Sequence, residues 1–152
     1  MKKYKIGFSV KGFAAFLCVM IPNIIWAVLP PTNDILAGNN SDNPIYDVIL
    51  NICRLLIVAL LVFLVNKTEK ESRTPKALLG VSVFCLLGYF MSWVLYYLGN
   101  TNPWLLLIGL AASPSLYFIF IGLWLKNYPA ILPSIIFAII HIAITYANFL
   151  QL

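Results

Sequence analysis

Charge is scarce in this chain. Only 10% of its 152 residues are Asp, Glu, Lys or Arg, against about 25% in an ordinary soluble domain. Acids number five, against ten bases. Histidine occurs once, at His141, and cysteine three times, at Cys18, Cys53 and Cys85. Each scarcity excludes something. Three isolated cysteines without a CxxC spacing argue against a disulfide framework and a zinc site. HExxH, GxSxG and paired acids within the apolar runs are missing, which removes the usual signatures of an enzyme. The outer loop's Asn33-Asp34 and Asn39 to Asn43 lack the alternating acids of a calcium loop. A net charge of +5 invites a nucleic-acid reading, but that requires a clustered basic face in polar surroundings. Here the bases flank apolar runs, so nucleic acid is not an expected partner and no cofactor is assigned.

What the chain has is apolar surface, at 62% of its residues. A soluble fold of this size cannot hide that much from water. A helix that crosses about 30 Å of hydrocarbon needs about 20 apolar residues, and five runs qualify: 12–29, 45–65, 76–98, 104–125 and 130–150. The sequence therefore predicts an all-α, polytopic membrane protein, a single domain over 1–152 built as a bundle of five transmembrane helices. Basic residues ahead of the first run suggest a signal peptide, but no small-x-small cleavage site follows, and the run reads as a retained span.

Boundary chemistry agrees with hydropathy. Pro44, Pro75, Pro103 and Pro129 open spans two to five, where a missing N–H costs nothing because first-turn donors have no intrahelical partner. Asn43, Thr74, Asn102 and Asn127 stand just before them as candidate caps. Pro30-Pro31 and Gly99-Asn100 mark helix ends. Pro22 and Pro114 fall mid-span and predict kinks in the first and fourth helices.

Orientation follows from the bases. With the N-terminus inside, Lys2, Lys3, Lys5, Lys11, Lys67, Lys70, Arg73, Lys76 and Lys126, nine of the ten, lie on the inner side. The outer side holds only Asp34, Asp42 and Asp47. The positive-inside rule then predicts a cytoplasmic N-terminus and an external C-terminus in a cell membrane. Trp104 and Trp124 bracket the fourth span as interfacial anchors.

Polar side chains at membrane depth are costly and so informative. Arg54 lies near the middle of the second span, where insertion costs roughly 2.5–3.5 kcal/mol. It needs an acceptor. Candidates are Asp47, on the same helix face through Asn51, the carbonyls of Cys18 and Leu110 freed by Pro22 and Pro114, or a bound anion. On the fifth span Ser134, Ala138, His141, Thr145 and Asn148 share one face, predicted to point into the bundle. A lone His without a partner acid reads first as a packed, hydrogen-bonded residue, with proton relay or haem ligation as functional alternatives. By depth, Asn23, Asn51, Arg54, Ser92, Ser113, His141 and Thr145 lie at or above the midplane. Their convergence would make an outward-facing polar cavity.

The segment Ile21-Pro22-Asn23-Ile24-Ile25-Trp26 with the following 30–34, the Asn43-Pro44 opening, and Ser92-Trp93 with Tyr96-Tyr97-Leu98-Gly99 together resemble small multi-spanning bacterial membrane proteins of no assigned activity. The resemblance implies a bacterial cytoplasmic membrane and the same five-span layout, and no chemistry. Two functions compete. One is a small solute- or ligand-binding protein, carrier- or transporter-like, with Arg54, His141, Asn51, Asp47, Asn23, Ser113 and Thr145 as its site and a small anion or lipid head group as ligand. The other is an accessory, regulatory or immunity-type subunit that packs against a membrane-protein partner through small-residue faces such as Gly88-x-x-x-Ser92 and Gly109-x-x-x-Ser113, with a homo-oligomer as a further form of partnership.

Overall fold

The computed structural model describes residues 3–67 and 75–151. Lys2, Lys70 and Arg73, used above for orientation, and Thr74, expected as a cap, lie outside the described residues. Five helices long and apolar enough to cross a membrane make up the chain: α1 (Val10–Val28), α2 (Pro44–Phe63), α3 (Lys76–Tyr97), α4 (Leu105–Trp124) and α5 (Tyr128–Leu150). Every boundary falls within two residues of its predicted position.

Of the three expected caps among the described residues, Asn43 and Asn102 cap their helices and Asn127 does not, while α1 has a cap, Ser9, outside that set. Ser9 caps α1 by accepting from the Gly12 N–H at 3.1 Å. Asn43 caps α2 through the Ile45 N–H, and Asn102 accepts from the Trp104 N–H at the start of the fourth span. Gly99 ends α3 with φ +91°, and the Asn100 N–H reaches back to the Leu95 carbonyl at 3.0 Å; only glycine takes that backbone conformation without steric cost. The exception is Asn127. It does not cap α5. Its amide nitrogen donates to the Leu60 and Leu64 carbonyls at 2.6 and 2.9 Å, fastening the α4–α5 turn to the end of α2.

The fourth helix differs from expectation in kind. Instead of a simple kink, Leu105–Ala112 is wound as a π-helix before Ser113–Trp124 continues as α-helix. Pro114 has no N–H to give an i−4 carbonyl, and the chain answers by widening upstream of it. The Ser113 N–H and hydroxyl both turn to the Ile108 carbonyl, the hydroxyl at 2.8 Å. Such widened turns often occur at functional sites.

A second difference is a two-stranded antiparallel ladder at the end that carries the N-terminus. Strand β1 (Tyr4–Ile6) pairs with β2 (Leu64–Asn66), Lys5 opposite Val65. Three-residue strands are too short to leave a periodic signal. Tyr4 and Asn66 both donate to the Lys126 carbonyl, and the Lys3 ammonium lies 4.6 Å from the Tyr128 ring. The described lysines of β1, the segment after β2 and the α4–α5 turn therefore share one end of the bundle.

Helix α1 crosses the others at a slant. Near its start, Gly12 lies so close to the Leu61 backbone that a Cβ would collide with the Leu61 carbonyl. Midway, the Tyr117 hydroxyl of α4 donates to the Ala15 carbonyl at 3.0 Å. Toward its far end it meets α3, where the Asn23 amide donates to the Tyr89 hydroxyl at 2.8 Å and the Trp26 and Trp93 rings lie 6.1 Å apart. So α1 leans from α2 at one end toward α3 at the other. On α2, Asn51, Ile52, Arg54 and Leu55 are exposed.

Candidate functional site

The polar residues at membrane depth divide into two groups. Hydroxyls mostly return to their own helices. Ser82, Ser92, Ser115, Ser134 and Thr145 each donate to the carbonyl four residues back, which satisfies the hydroxyl without any neighbour. Ser92 and Ser113 face each other's helices across a shallow groove with Gly88 and Gly109, where Gly109 gives α3 and α4 their close approach: a Cβ there would meet the Ser92 side chain.

The second group converges. A cavity of about 470 Å³ lies between α1 and the other four helices, beneath the segment that joins α1 to α2. Asn23, Arg54, His141 and Thr145 line it, brought together from α1, α2 and α5. Asn51 is not on the wall but holds Arg54: its Oδ1 accepts from the guanidinium Nη1 at 2.9 Å. Asp47 and Ser113 are not on the wall either. The Asp47 carboxylate accepts from the Ser41 N–H at 3.3 Å, and among the described residues neither it nor the Cys18 or Leu110 carbonyl receives a hydrogen bond or ion pair from Arg54.

Arg54 sits at the rim of this space, lining the cavity while also exposed on the α2 flank. Its guanidinium carbon is 5.5 Å from the centre of the Phe137 ring, within cation–π range. Phe137 also carries His141, stacked at 5.0 Å and 30°. The His141 imidazole makes no hydrogen bond to any described residue, and the fifth-span stripe is otherwise turned inward as its periodicity predicts: Ser134 and Thr145 are buried, and Asn148 reaches the α1–α2 segment. A guanidinium has five N–H donors. Among the described residues Asn51 alone accepts a hydrogen bond from it, at one of the five, and the others suit a carboxylate or phosphate.

The roof was not legible in the sequence. The 30–43 segment crosses the outer end of the bundle as a strap with a short 3₁₀ turn at Leu36–Gly38. Asp34 is its anchor, accepting from the Trp26 indole N–H at 2.9 Å and the Tyr96 hydroxyl at 2.8 Å. The same hydroxyl accepts from the Leu36 N–H. Farther along, the Asn39 amide donates to the Thr145 hydroxyl at 3.0 Å, and Asn148 donates back to Asn39 Oδ1 and the Asn40 carbonyl. An Asn-rich, proline-bounded loop carries the composition of any surface connection, so no signal distinguished a strap from a plain loop. Below the roof the wall is aromatic and aliphatic, with Phe16, Met20, Val58, Leu110 and Phe118 prominent. The π-wound turn contributes Leu106, Leu110 and Ala111.

Among the described residues no three His, Cys, Asp or Glu side chains group as metal ligands would. No known family, characterised protein or solved structure matches this chain. The fold and the five apolar helices define its class, a helical bundle with the make-up of a multi-pass membrane protein.

Proposed function

We propose that the protein binds a small anionic ligand in the cavity between α1 and the remaining helices, with Arg54 as the charge that recognises it and His141, Asn23 and Thr145 as its polar neighbours, in the manner of a small carrier or its binding subunit. One observation carries this reading. An arginine near the middle of a spanning helix opens onto a cavity of about 470 Å³ with no carboxylate paired to it among the described residues. A volume of a few hundred Å³, a mainly apolar wall and a few convergent polar groups are the usual form of a small-molecule site. An unpaired charge at that depth is retained when it serves a function. The lysine-rich end with the N-terminus is assigned to the cytoplasm of a bacterial cell and the strap to the outside, so the polar half of the cavity faces outward.

Native mass spectrometry of the protein released from a neutral detergent tests this. The wild type is expected to carry a bound adduct that Arg54→Ala lacks, with both proteins inserted to the same level. Identical spectra without an adduct on either protein would refute the reading. The rival is a subunit that docks on another membrane protein through small-residue faces, and recovery of a stable heteromeric partner after mild solubilisation would favour it.

A further inference from the structure

The cavity is segregated along its length. At 1.5 Å rise per residue, Arg54 lies about 15 Å from the outer end of α2 at Pro44, and Thr145 about 8 Å from the outer end of α5 at Leu150. Asn23, His141 and Thr145 all fall on this outer half, under the strap that carries Asn39. In the other direction the wall loses its polar groups. Phe16 is six residues from the start of α1 and Phe118 six from the end of α4, each about 9 Å from the inner ends of their helices. Val58, five residues from the end of α2, lies at about the same depth, and Met20 lies between this level and the polar half. The space is thus cationic and polar at one end and hydrocarbon-like at the other. Its outer end is covered by the strap, held at Asp34, Asn39 and Asn148. Its flank is not covered in the same way. Arg54 lines the cavity and is itself exposed, as are Asn51, which accepts from it, and Leu55 next to it in the chain.

We infer that the ligand is an anionic amphiphile, its carboxylate or phosphate held by Arg54 beneath the strap and its apolar chain directed inward along Met20, Phe16 and Phe118, reached sideways from the bilayer past the exposed flank of α2. This rests on the reading that the cavity binds a ligand. A water-borne inorganic anion uses only the polar half and leaves the aromatic half vacant. An amphiphile of the outer leaflet fills both, in the orientation it already has in the membrane. A neutral molecule leaves the guanidinium fork unmatched at a depth where that is costly.

Trp26 and Trp93 both line the cavity and serve as reporters in a protein carrying Trp104→Phe and Trp124→Phe, reconstituted in neutral phosphatidylcholine nanodiscs at pH 8. The probes are 9,10-dibromostearate and the dibromostearyl alcohol of the same chain. The acid is expected to quench saturably, with affinity at least tenfold above the alcohol. Arg54→Gln is expected to remove that tenfold advantage and Arg54→Lys to keep most of it. Equal quenching by acid and alcohol, or an advantage that survives in Arg54→Gln, overturns the amphiphile. Inorganic phosphate and acetate form the second arm, read by the melting temperature. Arg54-dependent stabilisation by these anions without saturable quenching by the acid overturns the amphiphile and leaves the binding reading standing. No response of any kind to either class, with Arg54→Gln indistinguishable from the parent, overturns both.

Discussion

Asp34 ties three segments with one carboxylate. It takes the Trp26 indole N–H from α1 and the Tyr96 hydroxyl from α3 while belonging to the strap between α1 and α2. Hydrogen bonds to a charged acceptor contribute about 1.5–3 kcal/mol each, so Asp34→Asn, which keeps the shape and removes the charge, is expected to destabilise the purified protein by about 1–3 kcal/mol in thermal unfolding monitored by circular dichroism. Asp42, exposed on the same segment, is the control, and Asp42→Asn is expected to be neutral within about 0.5 kcal/mol. Close packing makes a second residue-scale test. Gly109 and Gly12 stand where a methyl group would enter the Ser92 side chain and the Leu61 carbonyl respectively. Gly80, with open space around its missing Cβ, is a glycine of the same helical kind. Overpacking typically costs 1–3 kcal/mol. Gly109→Ala and Gly12→Ala are therefore expected to lower stability by about that much, and Gly80→Ala to leave it unchanged or raise it slightly, since alanine is the better helix former. Equal effects at all three positions would show that these helix contacts are not close.

At the scale of elements, the α4–α5 turn depends on a side chain that serves a distant helix. Asn127 is buried and satisfies the Leu60 and Leu64 carbonyls at the end of α2. Leu60 already accepts the Leu64 N–H within its own helix, but the Leu64 carbonyl lies where the helix gives way to the ladder. Replacing Asn127 by Leu removes both bonds from a site closed to water, a loss of about 1–3 kcal/mol for a buried acceptor left unmade. The expected signature is local: faster hydrogen exchange across Leu64–Asn66 and the facing Tyr4–Ile6, with α3 unchanged. Uniform loosening of the whole chain would contradict a local fastening. The strap makes the parallel case at the other end. Asn39→Ala is expected to speed exchange over 36–43 while leaving the α5 helix bonds protected, because Thr145 still has its own backbone acceptor at His141.

For the whole molecule, the placement of charge gives the decisive expectation. Nine of the ten basic residues belong to the predicted inner side, and the described ones in β1, after β2 and in the α4–α5 turn meet at one end of the bundle. A reporter active only in the cytoplasm, fused to the C-terminus, is expected to stay silent, and the same reporter at the N-terminus to be active. The reverse pattern would turn the cavity to face inward and with it the leaflet from which an amphiphile is drawn.

The sequence by itself determined the five helices and their limits, because run length, first-turn prolines and polar caps are local properties that a bilayer-sized apolar stretch makes unambiguous. It also singled out Arg54 and His141, because a charge or an imidazole among Ile, Leu and Val stands out whatever its neighbours are. Only the tertiary structure decided which polar groups meet. A serine in a helix bonds as readily to its own backbone as to another chain segment, so Ser92 and Ser113 turned out to face the α3–α4 groove while Asn23, Thr145 and the Asn51-held Arg54 gathered at the cavity. The slant of α1 and the path of the strap over the outer end depend on contacts between residues far apart in the chain, such as Tyr96 with Leu36 and Asn148 with Asn39, 60 and 109 positions apart. Such pairings are set by how helices pack, and no periodicity along one helix records its partner on another.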